Sequence, residues 1–199
     1  ESREEIAARI AAEKGSVVVP SFDDPHIVAG QGTAGLEVLE QLGRSPAQIL
    51  VNCGGGGLTA GIALACPDAT IITVEPEGWD DMARSLEQGE RVPVPDDAPF
   101  TRCDALQTKL VSPLTFGALQ DEGARGVAVS EAEIEAAMAF AARQLRLVVE
   151  PGGAVALAAA LAGKAGALSE RSVVVLSGGN VDPLVYSEIL RDQASDAAR

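Results

Sequence analysis

Positive charge, cysteine and long apolar runs are all scarce in this chain, and each shortage excludes a class of protein. Fifteen Lys and Arg residues stand against 29 Asp and Glu, which gives a net charge of −14. Such a charge repels nucleic acid and anionic membrane surfaces, so we expect neither as a partner. No run of about 18 uncharged apolar residues occurs, and the N-terminal "ESREEIAARI" has no apolar signal core. We therefore predict neither a membrane span nor export.

The cysteines exclude two further kinds of site. Cys53, Cys66 and Cys103 are odd in number and show no C-x-x-C spacing. This pattern favours neither a zinc site nor a disulfide framework, and it suits a reducing compartment. We accordingly expect a cytoplasmic protein.

The most informative feature that is present is the glycine run Gly54–Gly57. It lies between "QILVNC", which is typical of a buried strand, and "LTAGIALA", which is typical of a helix. Consecutive glycines let several backbone N–H groups surround one point, and the following helix directs its positive end there. The run therefore predicts a phosphate site at a strand-to-helix turn.

Other interpretations of the run have less support. A flexible turn is the alternative from residue types alone. A Walker loop would need Gly-Lys-Ser/Thr, which is missing. Glu75 lies near the position of the acidic residue in dinucleotide sites, but the contiguous glycines disfavour a nicotinamide site.

Strands and helices alternate along the chain, which predicts an α/β fold of three layers, a mostly parallel sheet with helices on both faces. With 199 residues and 47% hydrophobic content, we expect one domain, or one domain and part of another. Residues 22–32 and 90–107 are predicted as irregular connections. The predicted helices are 2–14, about 33–42, 58–66, 131–146 with a Ser130/Glu133 capping box, and "GGAVALAAALAG". The predicted strands are "SVVVP", 48–53, "TIITVEPEG", which is followed by a turn, "GVAVS", and "RSVVVLSGGN", which ends in a second glycine turn.

Five separated motifs resemble one family. They are "FDDPHIVAGQGTAGLEVLEQL", "NCGGGGLTAGIA", "VEPEGWDDM", "VVEPGGAVALAAAL" and "VVLSGGNVDP". In this order they resemble the fold-type II pyridoxal-phosphate enzymes, specifically threonine/serine dehydratases and serine racemase. The resemblance implies an incomplete tryptophan-synthase-β-like fold. It further implies that residues 1–25 end a small domain and residues 26–199 form the large cofactor-binding domain.

The resemblance assigns the cofactor site. It implies that Gly54, Gly55, Gly56 and Gly57, with the amide of Leu58, hold the phosphate of pyridoxal phosphate. Ser177 matches a residue beside the pyridine nitrogen, and Phe22 matches one near the cofactor ring. Glu150 resembles a residue on the pyridine side, although a surface carboxylate before a proline turn is an equal alternative. By residue type alone, Ser177 would be a turn residue and Phe22 a core residue.

The resemblance also suggests a divalent cation. Glu75, the Trp79 carbonyl and Asp81 match positions that bind one in racemase-like members, and oxygen ligands suit a hard cation. The ligand types do not distinguish between magnesium, calcium and manganese. Without the family, two exposed acids in a turn would be the better interpretation.

One departure from the family concerns catalysis. Members use a lysine in a serine-x-lysine context, upstream of the glycine loop, to form a Schiff base with the cofactor. This chain has only Lys14, Lys109 and Lys164, none in that context. We therefore expect no catalytic residue in this chain, an N-terminal segment of the parent enzyme that is missing here, and an inactive chain by itself.

The function implied for the parent enzyme is a pyridoxal-phosphate-dependent ammonia-lyase that acts on a small amino acid, L-threonine or L-serine, as a homodimer. It would convert a β-hydroxy amino acid to a 2-oxo acid and ammonia. Serine racemase or hydroxyaspartate dehydratase is the alternative, which Arg3 supports and which Pro113 and Ala105 weaken. A non-catalytic fragment or cofactor-binding module is a third interpretation.

Overall fold

The computed structural model of the chain describes residues 3–196, and the side chains of residues 5–193. Within this range none of the helices is long and apolar enough to cross a membrane. The helices are α1 (Arg3–Lys14), α2 (Pro25–Leu42), α3 (Gly57–Ala65), α4 (Asp81–Gln88), α5 (Pro113–Asp121), α6 (Glu131–Phe140), α7 (Pro151–Leu161) and α8 (Pro183–Asp196), and the strands are β1 (Gln48–Asn52), β2 (Thr70–Pro76), β3 (Arg125–Val129) and β4 (Ser172–Val174).

The four strands form one parallel sheet. β1 pairs with β2 on one side and with β4 on the other, and β3 extends the sheet beyond β2. In register, Ile49 lies beside Ile71, and Leu50 lies beside Ile72. Successive side chains of a strand point to opposite faces. Ile49 and Ile71 therefore pack into one apolar cluster, and Leu50 and Ile72 pack into the other.

Helices cover both faces of this sheet. The cluster around Ile49 contains apolar residues of α2, α3, α4 and α5, and the cluster around Leu50 contains those of α6, α7 and α8. The predicted three-layer α/β fold is thereby confirmed. The division at residue 25 between a small and a large domain stays a prediction.

The prediction of an irregular connection over residues 22–32 is wrong, because α2 begins at Pro25. The Asp24 side chain accepts hydrogen bonds from His26 N at 2.8 Å and from Ile27 N at 3.2 Å. Proline at the first helical position needs no N–H partner, so Asp24 and Pro25 together start the helix.

The glycines that suggested a loop instead allow two helices to touch. A Cβ on Gly32 of α2 would lie 2.9 Å from Gly61 O of α3, and a Cβ on Gly61 would lie 2.6 Å from Gly32 N. Both approaches are too short for a side chain. Glycine is required here by packing between α2 and α3, not by a turn.

Three further predictions differ from the structure. "SVVVP" forms no strand among the described residues, and Val17 and Val19 are 88% and 70% exposed. The "RSVVVLSGGN" strand is limited to β4, and Val175 N adds one further bond to Leu50 O of β1. The predicted helix 131–146 starts with the predicted capping box, but α6 ends at Phe140 and a π-helical turn follows.

Candidate functional site

The glycine run connects the carboxyl end of β1 to the start of α3. Gly56 has φ +87°, in the left-handed region that glycine tolerates best, and α3 begins at Gly57. Among the described residues, no acceptor bonds the backbone N–H groups from Gly54 to Leu58. These groups and the amino end of α3 therefore offer donors to an anion.

The surroundings leave no room for side chains in this loop. A Cβ on Gly56 would lie 2.7 Å from Met82 Cε and 2.9 Å from Thr115 Cβ, and a Cβ on Gly55 would collide with the ring of Phe22. Phe22 is thus placed against the glycine loop. Its place near the cofactor ring, which the resemblance implies, stays a prediction.

Thr115 of α5 holds the glycine loop through a hydrogen bond that no sequence motif predicts. Its Oγ1 donates to Gly55 O at 2.8 Å, and its N–H donates to Ser112 Oγ at 3.1 Å. Both side chains are buried. A threonine inside an otherwise ordinary helix carries no local signal for a contact 60 residues away.

The glycine loop borders a cavity of about 340 Å³. In the described part of the chain, the lining contains no lysine or arginine. An anion here would be held by backbone N–H groups, the α3 dipole and neutral polar side chains, against the negative charge of the whole chain. The lining residues are Ser21, Phe22, Gln31, Asn52, Gly54, Gly55, Gly56, Gly57, Leu58, Thr59, Asp104, Ala105, Leu106, Gln107, Thr108 and Ser177.

Ser177 lies in this cavity together with Asn52, the last residue of β1. Asn52 Nδ2 donates to Ser177 Oγ at 2.9 Å. The Asn52 side chain is buried and reaches α7 as well, where its Oδ1 accepts from Ala156 N at 2.8 Å. The sequence does not mark Asn52 as a site residue, because an asparagine at a strand end is equally typical of a turn.

Glu150 bonds the glycine turn that follows β4, residues 177–180, and does not line the cavity. Its Oε2 accepts from Asn180 N at 2.8 Å, and its backbone N–H donates to Gly178 O at 3.1 Å. It therefore holds the turn that carries Ser177. Arg3 begins α1, but its side chain lies outside the described residues.

Glu75 and Asp81 are buried, not exposed as their residue types alone suggested. Glu75 Oε1 accepts from Met82 N at 3.0 Å and its Oε2 from Ala83 N at 2.8 Å, so the carboxylate caps α4. Asp81 Oδ2 accepts from Val111 N at 2.8 Å, whereas its buried Oδ1 has no hydrogen-bond partner in the described part of the chain.

Burial changes how these acids titrate. It raises the pKa of Asp81 from 3.8 to about 6. Burial, and then the nearby charge of Asp81, raise the pKa of Glu75 well above its usual range. Two buried carboxylates thus repel each other, and a cation beside them would relieve the repulsion.

Trp79 lies in the turn between these two acids. Its N–H donates to Pro76 O at 3.0 Å, and its indole Nε1 donates to Pro99 O at 2.7 Å. The described residues contain no group of three or more His, Cys, Asp or Glu side chains able to hold a metal ion. The charged groups that act on these two acids are Asp80 and Arg84, which form an ion pair at 3.7 Å.

Neither the lysines nor the nearest cysteine provides a nucleophile in the cavity. Lys109 Nζ lies 4.6 Å from the Trp79 ring centre, and Lys164 Nζ bonds Glu133 at 2.7 Å. Lys14 ends α1, outside the lining. Cys53 precedes the loop, but burial raises the pKa of its thiol well above the usual value.

Comparison with known proteins agrees with this geometry. Residues 1–179 match the family described as pyridoxal-phosphate dependent enzyme. The chain is 36% identical over 194 residues to the L-threo-3-hydroxyaspartate ammonia-lyase of Saccharomyces cerevisiae, covering 96% of this chain and 59% of that protein. It is 42% identical over 188 residues to the L-threonine ammonia-lyase of Geobacter sulfurreducens, covering 92% of this chain and 46% of that protein.

A solved structure is similar over the whole chain. Maize serine racemase superposes with a TM-score of 0.84 at 31% identity, covering 100% of this chain and 62% of that one. The chain thus spans between 46% and 62% of the length of these three proteins.

Proposed function

The chain belongs to the family of pyridoxal-phosphate dependent enzymes, and from this we propose that the whole protein is an ammonia-lyase for L-threonine or L-serine. It would convert the β-hydroxy amino acid to a 2-oxo acid and ammonia. Two of the relatives are ammonia-lyases, for L-threonine and for L-threo-3-hydroxyaspartate. The observation that carries the proposal is the glycine loop, which lines the same cavity as Ser177 and whose N–H groups from Gly54 to Leu58 have no acceptor in the described part of the chain.

The residues fit the phosphate of the cofactor. Gly54–Gly57 have unpartnered N–H groups, neighbouring side chains leave no room for a Cβ on Gly55 or Gly56, and the Leu58 amide adds a donor at the amino end of α3. Thr115 holds the Gly55 carbonyl, which keeps the opposite side of that peptide free to face the cavity. The chain's own contribution here is to bind and orient.

Ser177 would provide the polar contact to the cofactor ring. Pyridoxal phosphate supplies an electron sink for the carbanion formed at the substrate Cα. A hydroxyl next to the pyridine nitrogen, in place of a carboxylate, does not force that nitrogen to be protonated. The milder sink suits loss of a β-hydroxyl group.

The proposed reaction also needs a lysine, which the cavity lining of the described chain does not provide. We expect it in the rest of the protein. Borohydride reduction of the loaded protein, followed by peptide mass analysis, would locate the lysine that carries the cofactor. The expected modified residue is none of Lys14, Lys109 and Lys164, and modification of one of them would contradict this part of the proposal.

The activity is tested with protein expressed from its whole gene and loaded with pyridoxal phosphate. L-threonine, L-serine and L-threo-3-hydroxyaspartate are supplied separately, and 2-oxo acid and ammonia are measured. Equal amounts of the two products support the ammonia-lyase. A protein that binds the cofactor and gives no product from any of the three substrates is a cofactor-binding module instead.

Racemisation is the second candidate, and the resemblance to maize serine racemase favours it. Chiral chromatography of the L-serine reaction separates the two activities, because a racemase forms D-serine and a pure lyase does not. D-serine formed faster than pyruvate would replace the ammonia-lyase proposal.

We also propose a divalent cation, magnesium, calcium or manganese, at Glu75, the Trp79 carbonyl and Asp81. What supports it is the unpartnered, buried Oδ1 of Asp81 and the second buried carboxylate, Glu75, on which the charge of Asp81 acts. Chelation should lower the melting temperature, and addition of each cation in turn should restore it. An Asp81→Asn variant should show no such response. A homodimer and a cytoplasmic location stay predictions.

A further inference from the structure

Asn52 makes four side-chain hydrogen bonds at the junction of β1, β4 and α7. Its Nδ2 donates to Gly153 O at 3.1 Å, to Val175 O at 3.2 Å and to Ser177 Oγ at 2.9 Å, and its Oδ1 accepts from Ala156 N at 2.8 Å. The side chain is 4% exposed. Its polar atoms are therefore all occupied within the fold.

These partners fix which way the amide points. Two of the neighbours of Nδ2 are carbonyl oxygens, which can only accept, and the neighbour of Oδ1 is an N–H group, which can only donate. If the amide were reversed, its oxygen would face the oxygens of Gly153 and Val175, and its NH2 group would face the N–H of Ala156. The atom that faces Ser177 is consequently a donor.

The direction of this bond decides what Ser177 can do. Nδ2 shares its two hydrogens among Gly153 O, Val175 O and Ser177 Oγ and cannot accept, so the Ser177 hydroxyl cannot donate to it and keeps its hydrogen for another acceptor. Both residues line the cavity beside the glycine loop. A hydroxyl donor at this place matches a pyridine nitrogen that carries a lone pair, not one that carries a proton.

We propose that Asn52 is a positioning residue that holds Ser177 as a hydrogen-bond donor toward the cavity and thereby selects the unprotonated pyridine nitrogen of bound pyridoxal phosphate. This inference rests on the proposed cofactor site. It assigns to the end of β1 a role in setting the electronic state of the cofactor, beyond its role in supporting the sheet.

The same strand contains a matched control. Gln48, at the other end of β1, donates from Nε2 to Ser172 Oγ at 2.9 Å and to Ala167 O at 3.0 Å. It makes the same kind of amide-to-serine bond, here between β1 and β4, whereas Ser177 lies beyond the end of β4. Gln48 does not line the cavity, so it shares the structural role without the proposed one.

The test uses the whole protein loaded with pyridoxal phosphate labelled with ¹⁵N in its ring. The ¹⁵N chemical shift distinguishes a protonated from an unprotonated nitrogen. Wild type should give the unprotonated signal. In Asn52→Leu the Ser177 hydroxyl can donate to Gly153 O and Val175 O, which have lost their donor. The ¹⁵N signal of the cofactor bound to Asn52→Leu should therefore move to the position measured with Ser177→Ala. The cofactor Kd should rise about tenfold.

A second variant reverses the direction of the bond. Asn52→Asp keeps the side-chain size and the acceptor for Ala156 N, but its second oxygen, when ionised, accepts the hydrogen bond of the Ser177 hydroxyl and adds negative charge. Because that oxygen also faces the carbonyls of Gly153 and Val175, the melting temperature of the variant is measured alongside. Its ¹⁵N signal should move toward the protonated position. Gln48→Leu should leave both the ¹⁵N signal and the cofactor Kd at their wild-type values.

A purely structural role predicts a different pattern. It would lower the melting temperature in Asn52→Leu and Asn52→Asp while the ¹⁵N signal stays at the wild-type position, and that result overturns the inference. In the Ser177→Ala background, Asn52→Leu should add no further change in cofactor Kd, because the two residues act through one contact. Equal effects in both backgrounds also overturn it. If wild type binds no cofactor, the proposed function fails as well; if it binds and only the Asn52 predictions fail, the proposed function stands.

Discussion

Thr115 Oγ1 donates a hydrogen bond of 2.8 Å to the carbonyl oxygen of Gly55. The bond joins the first turn of α5 to the middle of the glycine loop, where Gly55 lines the cavity and Thr115 is buried behind it. A glycine-rich loop has many accessible conformations, so a single fixed carbonyl removes much of the freedom that binding would otherwise have to remove. The loop is thus preorganised from outside.

Removing that contact should weaken phosphate binding. In Thr115→Val the shape is kept and the hydroxyl is lost, so the Gly55 carbonyl loses its partner and the loop loosens. We expect the Kd for pyridoxal phosphate to rise about tenfold, the value of one buried hydrogen bond. Fluorescence titration measures it. Thr115→Ser keeps the hydroxyl and should bind as wild type does; equal weakening in both variants would contradict this role.

A methyl group at Gly56 should abolish cofactor binding. Gly56 has φ +87°, and its Cβ would lie 2.7 Å from Met82 Cε. Gly56→Ala therefore has to distort the loop away from the conformation that presents its N–H groups. Gly117→Ala is the matched control, since a Cβ there meets nothing within 4 Å. Absorbance of the bound cofactor compares the two, and retention by Gly56→Ala would show that the loop does not form the site.

The sequence predicted features whose cause is local. Four glycines in a row between a strand pattern and a helix pattern predict a strand-to-helix turn, and the run from Gly54 does lead from β1 into α3, while the phosphate that it would hold stays a prediction. Ser130 and Glu133 are three residues apart, and both bonds of the capping box form. The alternation of strand and helix likewise predicted a parallel three-layer fold, because such a sheet needs both faces covered.

Features with a distant cause could not be predicted. Gly32 alone favours a loop, and its packing against Gly61 of α3 is visible only in the fold. The start of α2 is therefore predicted too late. Asn52 and Ser177 are 125 residues apart, and neither residue type signals the other. "SVVVP" has strand composition, yet a strand also requires a neighbour, and the described chain gives it none.

The packing of α2 on α3 predicts opposite effects for two glycines of similar sequence context. Gly61→Ala brings a Cβ within 2.6 Å of Gly32 N, a backbone atom that cannot rotate away, so the helices must separate. We expect a loss of about 1–3 kcal/mol in the free energy of unfolding. Gly30→Ala has open space within α2 and should gain about 0.5–1 kcal/mol from helix propensity. Urea unfolding measures both, and a loss in Gly30→Ala would contradict the packing argument.

Asp81 should make stability fall as pH rises when divalent cations are removed. Its pKa in the folded chain is about 6, against 3.8 for an ordinary Asp, so between these values the folded state binds more protons than the unfolded state. The stabilisation is fully present below about pH 4 and is lost as pH rises through about 6, a loss on the order of 3 kcal/mol. Glu75 shifts in the same direction and adds to the slope.

Asp81→Asn isolates this contribution, because the amide oxygen still accepts from Val111 N and carries no charge. Measured by urea unfolding in chelator, the variant should match wild type near pH 4 and exceed its stability at pH 8. Asp97→Asn changes an exposed loop acid and should follow the wild-type pH profile. A divalent cation at pH 8 should bring wild type up to the variant, because it compensates the buried charge that the variant lacks. Parallel profiles for wild type and Asp81→Asn would show that the carboxyl is already compensated inside the fold, and the proposed cation would then have no electrostatic basis.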